Sequence, residues 1–206
     1  AGVIAGMSGS PIYIDGKFAG GLGYGYQFAK DPIALLTPAE DIVRTMKRPV
    51  QNLDVWGRPP AMAAENWTGR VRGALMAAAN PLVRTDSSVM RPLGMSLAVS
   101  GVPADRFAEF FPLLAPLGPA APAGSSEGAV PGRAYKPGAP VAIWLVSGDI
   151  NVAAIGTVTH VDGDRVAVFS HPFLGMGEMR LPAGNAFIHT ILARQSNSMK
   201  LGTFTS

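Results

Sequence analysis

The sequence predicts a mainly β fold with a few short helices. Its 206 residues include 25 glycines and 18 prolines, about a fifth of the chain, and this content favours short strands joined by many turns over a helical bundle. Two pairs of β-rich segments are each separated by an Asp-Gly turn, at Asp15-Gly16 and at Asp162-Gly163, and Asp-Gly is a strong hairpin signal. Because 48% of the residues are hydrophobic, the chain can bury a sizeable core, which predicts one domain of two lobes.

The first elements are predicted from their strand and turn residues. The first Asp-Gly turn indicates a hairpin over residues 12–25, with strands at 12–14 and 18–24. An open loop over 26–32 and a strand over 33–36 are expected to follow.

A helix is predicted to begin near Thr37. This threonine suits the N-cap, Pro38 suits the first helical position, and Glu40 stands three residues after the cap, which is the spacing of a capping box. Apolar residues then recur at helical spacing until Pro49 ends the run.

The middle of the chain carries structural rather than chemical signals. Strands are predicted at 68–76 and 93–102, followed by a helix at 104–111 whose phenylalanines are expected to pack in the core. Residues 116–140 are rich in Pro, Gly, Ala and Ser, and they predict a long exposed connection.

The last part of the chain is predicted to be a series of strands. An apolar strand at 141–146 leads into the second hairpin, which spans 155–161 and 166–169, and a further strand is expected at Met199–Phe204.

A candidate nucleophile lies directly ahead of the first hairpin. Residues 6–11 read Gly-Met-Ser-Gly-Ser-Pro, so Ser8 stands between Gly6 and Gly9. Flanking glycines let the backbone turn sharply and approach a substrate carbonyl, which a nucleophilic serine requires. The alternative is that the motif is only a Gly/Ser turn.

A candidate base lies at the end of the second hairpin. His171 follows the strand at 166–169, and an imidazole held there can accept and return a proton at neutral pH. His160 and His189 lie within predicted strands, where structural roles are expected. The acids Asp162 and Asp164 are explained by the turn that they form.

The motif resembles the Gly-Asp-Ser-Gly-Gly-Pro sequence of trypsin-like serine proteases, with Met7 and Ser10 as departures. The sequence of the motif is similar to that of the SpoIVB-type peptidase family, bacterial serine peptidases distantly related to trypsin. Members of this kind often have Gly-His-Pro near a strand pair. This chain has Gly-Thr-Val-Thr at 156–159 and Ser170-His171-Pro172 after the second hairpin, so the histidine is retained.

The resemblance implies a serine endopeptidase with a trypsin-like double β-barrel. Ser8 would attack the scissile carbonyl, His171 would carry the proton, and the amides of Gly6 and Ser8 would hold the oxyanion. Neither a metal nor a cofactor is implied. The substrate would be a bacterial polypeptide, including the enzyme's own precursor, outside the cytoplasm or in the envelope.

Two further parts of the site are expected from the same hypothesis. Substrate is predicted to pair with the strand residues Gly21, Leu22, Gly23 and Tyr24 by strand addition. Asn197 is a candidate to orient His171, and a Ser–His dyad or an acid from outside this chain stays open.

The order of the two residues departs from trypsin-like proteases, because Ser8 precedes His171. A circularly permuted barrel is therefore predicted, completed by an upstream segment or a separate chain. The predicted organisation is a serine-bearing segment at 1–48, a connecting region at 49–115, a linker at 116–140 and a histidine-bearing segment at 141–206.

Composition excludes several function classes. A net charge of +3 without a basic cluster gives no indication of nucleic-acid binding. The absence of cysteine excludes thiol catalysis, cysteine-based zinc sites and disulfides. No apolar run has the length of a membrane span, and the first residues do not form a signal peptide.

The alternative to the peptidase hypothesis is a catalytically inactive, protease-like binding or scaffolding module.

Overall fold

Twelve strands and two short helices form from the described residues, which confirms the prediction of a mainly β fold with a few short helices. The structure is a computed structural model. It describes residues 3–26, 31, 33–49, 83–85, 88–115, 117–123, 134–174, 180–193 and 198–204. The strands are β1 (Pro11–Ile14), β2 (Lys17–Tyr26), β3 (Ala34–Pro38), β4 (Val83–Thr85), β5 (Ser88–Pro92), β6 (Ser96–Ser100), β7 (Ala120–Pro122), β8 (Pro140–Val146), β9 (Asn151–Asp162), β10 (Arg165–Val168), β11 (Ala183–Leu192) and β12 (Met199–Phe204). The helices are α1 (Ala39–Met46) and α2 (Phe107–Leu114).

The first sheet is built around β2. One edge of β2 pairs first with β1, with Gly21 opposite Pro11, and then with β5, with Tyr24 opposite Pro92. The other edge pairs with β3 over the same residues. β4 extends the sheet beyond β5. β2 is therefore a central strand along this part of its length.

The second sheet curls into a nearly closed, barrel-like shape. Its strands lie in the order β12-β11-β8-β9-β6-β7, and β10 pairs with β9. The Ser96 hydroxyl on β6 donates to the Lys200 carbonyl on β12, so two strands that are far apart in this order meet.

The N-terminal segment lies beside this closure. Ala5 pairs in parallel with Met199, its N–H donates to the Ser198 carbonyl, and its carbonyl accepts from the Lys200 N–H. The Gly6 N–H donates to the Gly94 carbonyl just before β6. The segment that carries Ser8 is thus paired with the last described strand, and the serine-bearing and histidine-bearing parts of the chain interleave.

Both Asp-Gly hairpins form as predicted. In the β1–β2 turn Asp15 and Gly16 have φ values of 49° and 73°, the two positive values of a type I′ turn. In the β9–β10 turn Gly163 has φ 59°, and Asp162 lies opposite Arg165, as in a type II′ turn.

The core lies between the barrel wall and α2. Leu97, Val99 and Val152 are buried together, and the three phenylalanines of α2 (Phe107, Phe110 and Phe111) pack against them. Their expected core role is confirmed. The helix begins three residues later than predicted because residues 104–106 form a turn first. Neither described helix has the length or the apolar run that crossing a membrane requires.

The predicted linker contains a strand. β7 pairs in parallel with β6, with Ala120 opposite Leu97, and Ala120 is buried. The prediction of an exposed connection over all of 116–140 is therefore wrong for β7, because strand pairing provides hydrogen-bond partners for its backbone. The strand predicted at 68–76 lies outside the described residues.

The start of α1 differs from the sequence prediction. The helix begins at Ala39 after Pro38, without a side-chain cap, whereas Thr37 belongs to β3. The Thr37 hydroxyl donates instead to the Ser170 carbonyl at 2.5 Å. The threonine that resembles a helix cap in the sequence thus holds the segment next to His171.

The other end of α1 is held by an arginine from β10. The Arg165 guanidinium donates to the Met46 carbonyl and, at 2.8 Å, to the Arg48 carbonyl. A cation is favourable at a helix C-terminus because the last carbonyls lack helical partners.

Replacing Arg165 with methionine is expected to lower the free energy of unfolding by about 1–2 kcal/mol, since hydrogen bonds from a charged donor are lost. Thermal unfolding would show this as a fall of roughly 2–8 °C. The control is Arg44→Met, which breaks the exposed pair with Asp41 and should change stability by less than about 1 kcal/mol. Equal effects of the two substitutions would contradict the role assigned to Arg165.

Candidate active site

Two successive turns form the loop that carries Ser8. The Met7 N–H donates to the Ile4 carbonyl at 3.2 Å, and the Ser10 N–H donates to the Met7 carbonyl at 2.9 Å. Gly6 and Gly9 occupy the third position of these turns with φ values of 85° and 92°. A type II turn requires a positive φ at this position, so the glycines of the motif are explained by backbone geometry.

The loop is attached to two strands on either side of Ser8. The Gly9 N–H donates to the Leu22 carbonyl at 2.7 Å, and the Thr157 N–H donates to the Ser8 carbonyl at 3.0 Å. The Thr157 hydroxyl donates to the Gly6 carbonyl, also at 3.0 Å. A Cβ on Gly9 would lie 2.1 Å from the Thr157 carbonyl oxygen, so only glycine permits this approach to β9.

The two predicted oxyanion donors differ in their hydrogen bonding. The Gly6 N–H donates to the Gly94 carbonyl at 3.2 Å, so a substrate oxygen would compete with that carbonyl. Among the described residues no acceptor is paired with the Ser8 N–H. The neighbouring N–H groups of the loop are paired. The Ser8 N–H is therefore the amide that can donate a hydrogen bond to a negatively charged oxygen.

His171 follows a strained backbone segment. Phe169 and Ser170 have φ values of 65° and 53°, a left-handed conformation that is uncommon for residues other than glycine. Phe169 is anchored in the core with 1% of its surface exposed. The Ser170 hydroxyl is 2.9 Å from that of Thr159.

The His171 ring is held with one nitrogen bonded and the other enclosed. Nδ1 lies 3.0 Å from the Pro172 carbonyl oxygen, which can only accept, so Nδ1 carries the proton and donates. Nε2 is buried and has no partner. Burial lowers the pKa of His171, and the backbone groups of Pro172 and Leu93 near the ring oppose this only in part. The ring is therefore neutral near pH 7, with a free lone pair on Nε2.

Thr157 and Phe169 join the serine and histidine loops. Thr157 donates to the Ser8 carbonyl on one side and accepts from the Phe169 N–H at 3.4 Å on the other. A Cβ on Gly9 would lie 2.6 Å from the Phe169 nitrogen. The two loops thus lie side by side, and His171 is only two residues beyond this contact.

Two buried side-chain atoms in the described part of the chain lack a hydrogen-bond partner. They are Ser8 Oγ and His171 Nε2, the two atoms that the sequence hypothesis pairs. They are not hydrogen-bonded to each other in this conformation. The Ser8 residue has 0% of its surface exposed, so a substrate reaches it only after a neighbouring segment moves.

The predicted substrate strand is not free. Gly21, Leu22 and Tyr24 pair with β3 on one edge, and the other edge of this stretch is bonded to Pro11, Ser10, Gly9, Leu93 and Pro92. Strand addition at these residues is therefore wrong for this conformation, because their backbone groups are already paired.

The glycines of β2 instead let the histidine loop approach closely. A Cβ on Gly21 would lie 1.9 Å from Ser170 Oγ, and one on Gly23 would lie 2.3 Å from the Ser170 carbonyl oxygen. The Tyr24 ring packs edge-on against His171, with centroids 6.5 Å apart.

The other candidate residues are Asn197, His160 and His189. Asn197, the proposed orienter, is outside the described residues, and the Pro172 carbonyl makes the bond to Nδ1 instead. His160 stacks on Phe18 at 4.9 Å, and His189 lies 3.2 Å from the Thr203 hydroxyl. Among the described residues no group of three His, Asp or Glu side chains could hold a metal ion.

Two residues near the Ser8 loop are not singled out by the sequence. Thr157 contacts Gly6 and Ser8, and Lys200 donates to the Thr157 hydroxyl at 3.0 Å. A lone threonine and a lone lysine in strands carry no local pattern, so their role depends on long-range pairing.

Comparison of the chain with protein-family models, with curated proteins and with solved structures found no match.

Proposed function

We propose that this protein is a serine endopeptidase in which Ser8 is the nucleophile and His171 is the base. One observation carries the proposal: within the part of the chain that the structure describes, the two buried side-chain atoms without hydrogen-bond partners are Ser8 Oγ and His171 Nε2. Unpaired buried polar atoms are unfavourable and rare, and these two are the atoms that must exchange a proton. Catalytic hydrogen bonds are often loose before substrate binds.

The proposed reaction proceeds in two steps, acylation of Ser8 and hydrolysis of the acyl-enzyme. Ser8 Oγ bonds to the scissile carbonyl carbon while its proton passes to His171 Nε2, and this proton then goes to the leaving amine as the C–N bond breaks. Water, deprotonated by the same nitrogen, then bonds to the acyl carbon, and as the ester bond to Ser8 Oγ breaks the proton returns to that oxygen and the carboxylic acid product leaves. The Pro172 carbonyl would keep the proton on Nδ1, so a Ser–His dyad requires no further side chain.

The developing oxyanion would lie at the Ser8 N–H. This amide is preorganised because the peptide groups around it are hydrogen-bonded, and preorganised donors are the most effective kind. The Gly6 N–H would join only by leaving the Gly94 carbonyl.

The finer features of the hypothesis rest on the motif resemblance. They are a trypsin-like double barrel with circular permutation, an upstream segment or chain that completes it, an exported or envelope location, and bacterial polypeptide substrates that include the enzyme's own precursor. The first sheet around β2 and the barrel-like second sheet are consistent with two such lobes.

The alternative function is a catalytically inactive binding or scaffolding module. The complete burial of Ser8 favours this alternative, because a substrate that approaches from the solvent would not reach the hydroxyl without a movement of the protein.

Labelling with a fluorophosphonate probe separates the two functions. Folded wild-type protein should gain the mass of one probe adduct, and Ser8→Ala should gain none, because the nucleophile is absent. Ser10→Ala is the matched control in the same loop and should label like wild type. If folded wild type does not label, or if Ser8→Ala still labels, the binding module becomes the better account.

A further inference from the structure

We infer that Lys200 is a positioning residue for the proposed nucleophile, acting on the Ser8 loop through the Thr157 hydroxyl. The inference rests on the proposed function and adds a residue that the serine and histidine motifs do not include. It is carried by a chain of hydrogen bonds from Lys200 to the peptide groups on either side of Ser8.

Lys200 contacts the Ser8 loop through both its backbone and its side chain. Its N–H donates to the Ala5 carbonyl at 3.1 Å. Its side-chain carbons line the Gly6 backbone, since a Cβ on Gly6 would lie 3.2–3.3 Å from Lys200 Cβ, Cγ and Cδ. The side chain therefore lies against the residue two positions before Ser8.

The lysine sets the direction of the Thr157 hydroxyl. Lys200 Nζ donates to Thr157 Oγ1 at 3.0 Å, and an ammonium can only donate. The hydroxyl proton must then point elsewhere, and it is donated to the Gly6 carbonyl at 3.0 Å. The main-chain N–H of Thr157 meanwhile holds the Ser8 carbonyl. Consecutive hydrogen bonds of this kind strengthen one another.

The surroundings of the ammonium indicate a role beyond surface solvation. Lys200 is half-buried, and no carboxylate in the described ranges forms an ion pair with it. Burial lowers the pKa of Lys200. A partly desolvated cation beside the loop would also favour negative charge that develops at Ser8 in the transition state.

The kinetic test compares Lys200→Met with Lys200→Arg in fluorophosphonate labelling. In Lys200→Met the maximal labelling rate should fall roughly ten- to hundredfold, as for a displaced reacting group, while the half-saturating probe concentration stays unchanged. Lys200→Arg should recover most of the rate because it keeps a charged donor. Lys17→Met, at an exposed position, is the control and should have no effect.

A double-mutant cycle tests the relay itself. Thr157→Val removes the hydroxyl, and the Thr157→Val/Lys200→Met double variant should be no slower than the slower single variant. If the losses of labelling rate in the two single variants add up in the double variant, or if the maximal rate is unchanged in Lys200→Met, the inference is overturned. Labelling of the wild type would still support the proposed peptidase in that case.

Hydrogen exchange provides a readout that does not depend on activity. In Lys200→Met, and in Thr157→Val should the lysine variant not fold, amides of residues 4–10 should exchange at least about tenfold faster, because the loop opens more often. If labelling of wild type fails but this change is seen, the proposed function is wrong and the structural relay remains. If exchange is unchanged in both folded variants, the relay is wrong.

Discussion

Replacing His171 with alanine is expected to slow fluorophosphonate labelling of Ser8 by about 10²- to 10⁴-fold, the usual contribution of a general base. The structure gives the reason. Nδ1 donates to the Pro172 carbonyl, so the unpaired Nε2 is the nitrogen that can take the Ser8 proton. Labelling rates measured by mass spectrometry over a range of probe concentrations would determine the effect.

The pH dependence of the same rate follows from the burial of His171. Burial lowers the pKa of the imidazole, and the neutral ring is the active base. The labelling rate should therefore rise with pH through a midpoint below the ordinary histidine value of about 6.5 and be level near neutral pH. In His171→Ala this step should be absent.

His160→Ala is the matched control for His171→Ala, because His160 stacks on Phe18 rather than facing the serine loop. It should label at nearly the wild-type rate. Equal losses in the two variants would show that His171 acts only through folding. A wild-type midpoint above 6.5 would contradict the enclosed, neutral imidazole.

Replacing Gly9 with alanine is expected to destabilise the protein by roughly 2–5 kcal/mol and to abolish labelling. Gly9 has φ 92°, and a left-handed conformation at a residue with a Cβ costs about 1–2 kcal/mol. The new Cβ would also lie 2.1 Å from the Thr157 carbonyl oxygen and 2.6 Å from the Phe169 nitrogen. These are backbone atoms that cannot move aside singly, and forced overpacking costs about 1–3 kcal/mol more.

Thermal unfolding would measure this effect as a fall of roughly 5–20 °C. Gly16→Ala is the matched control, since Gly16 has φ 73° and nothing lies within 4 Å of its Cβ position. It should lose only the conformational part, about 1–2 kcal/mol. If Gly9→Ala is no less stable than Gly16→Ala, the close approach of the Ser8 loop to β9 and to Phe169 is incorrect.

The hairpins could be predicted from the sequence because their signals are local. Asp15-Gly16 and Asp162-Gly163 determine the turns by their backbone preferences, and the strands beside them follow. The apolar run of β8 and the strand predicted at Met199–Phe204 are equally recognisable. Each of these elements depends on residues within a few positions of one another.

The errors arise where a residue's partner is distant in the sequence. Thr37 has the local pattern of a helix cap, yet its hydroxyl bonds to Ser170, 133 positions away. Gly21 and Gly23 are predicted to pair with substrate, whereas in the structure they make room for the histidine loop. β7 is hidden in a Pro- and Ala-rich stretch because only its pairing with β6 defines it.

The two candidate residues of the proposed site can be recognised in the sequence, whereas the groups that hold them in place cannot. Ser8 and His171 stand out as residue types in particular local settings. The Pro172 carbonyl, Thr157 and Lys200 do not, because a backbone carbonyl and single strand residues have no pattern of their own. Their contribution becomes visible only when the Ser8 loop is placed against β9 and β12.

The pairing of Ala5 with Met199 has a consequence for the timing of synthesis. A ribosome adds about 5–20 residues per second, so roughly 10 to 40 seconds pass between the emergence of the first partner and that of the second. Throughout that interval the hydrogen bonds that join Ala5 to Ser198 and Lys200 cannot yet exist. In the proposed peptidase, the segment before Ser8 would therefore gain this anchor only when translation of this region is nearly finished, and the complete site would form no earlier.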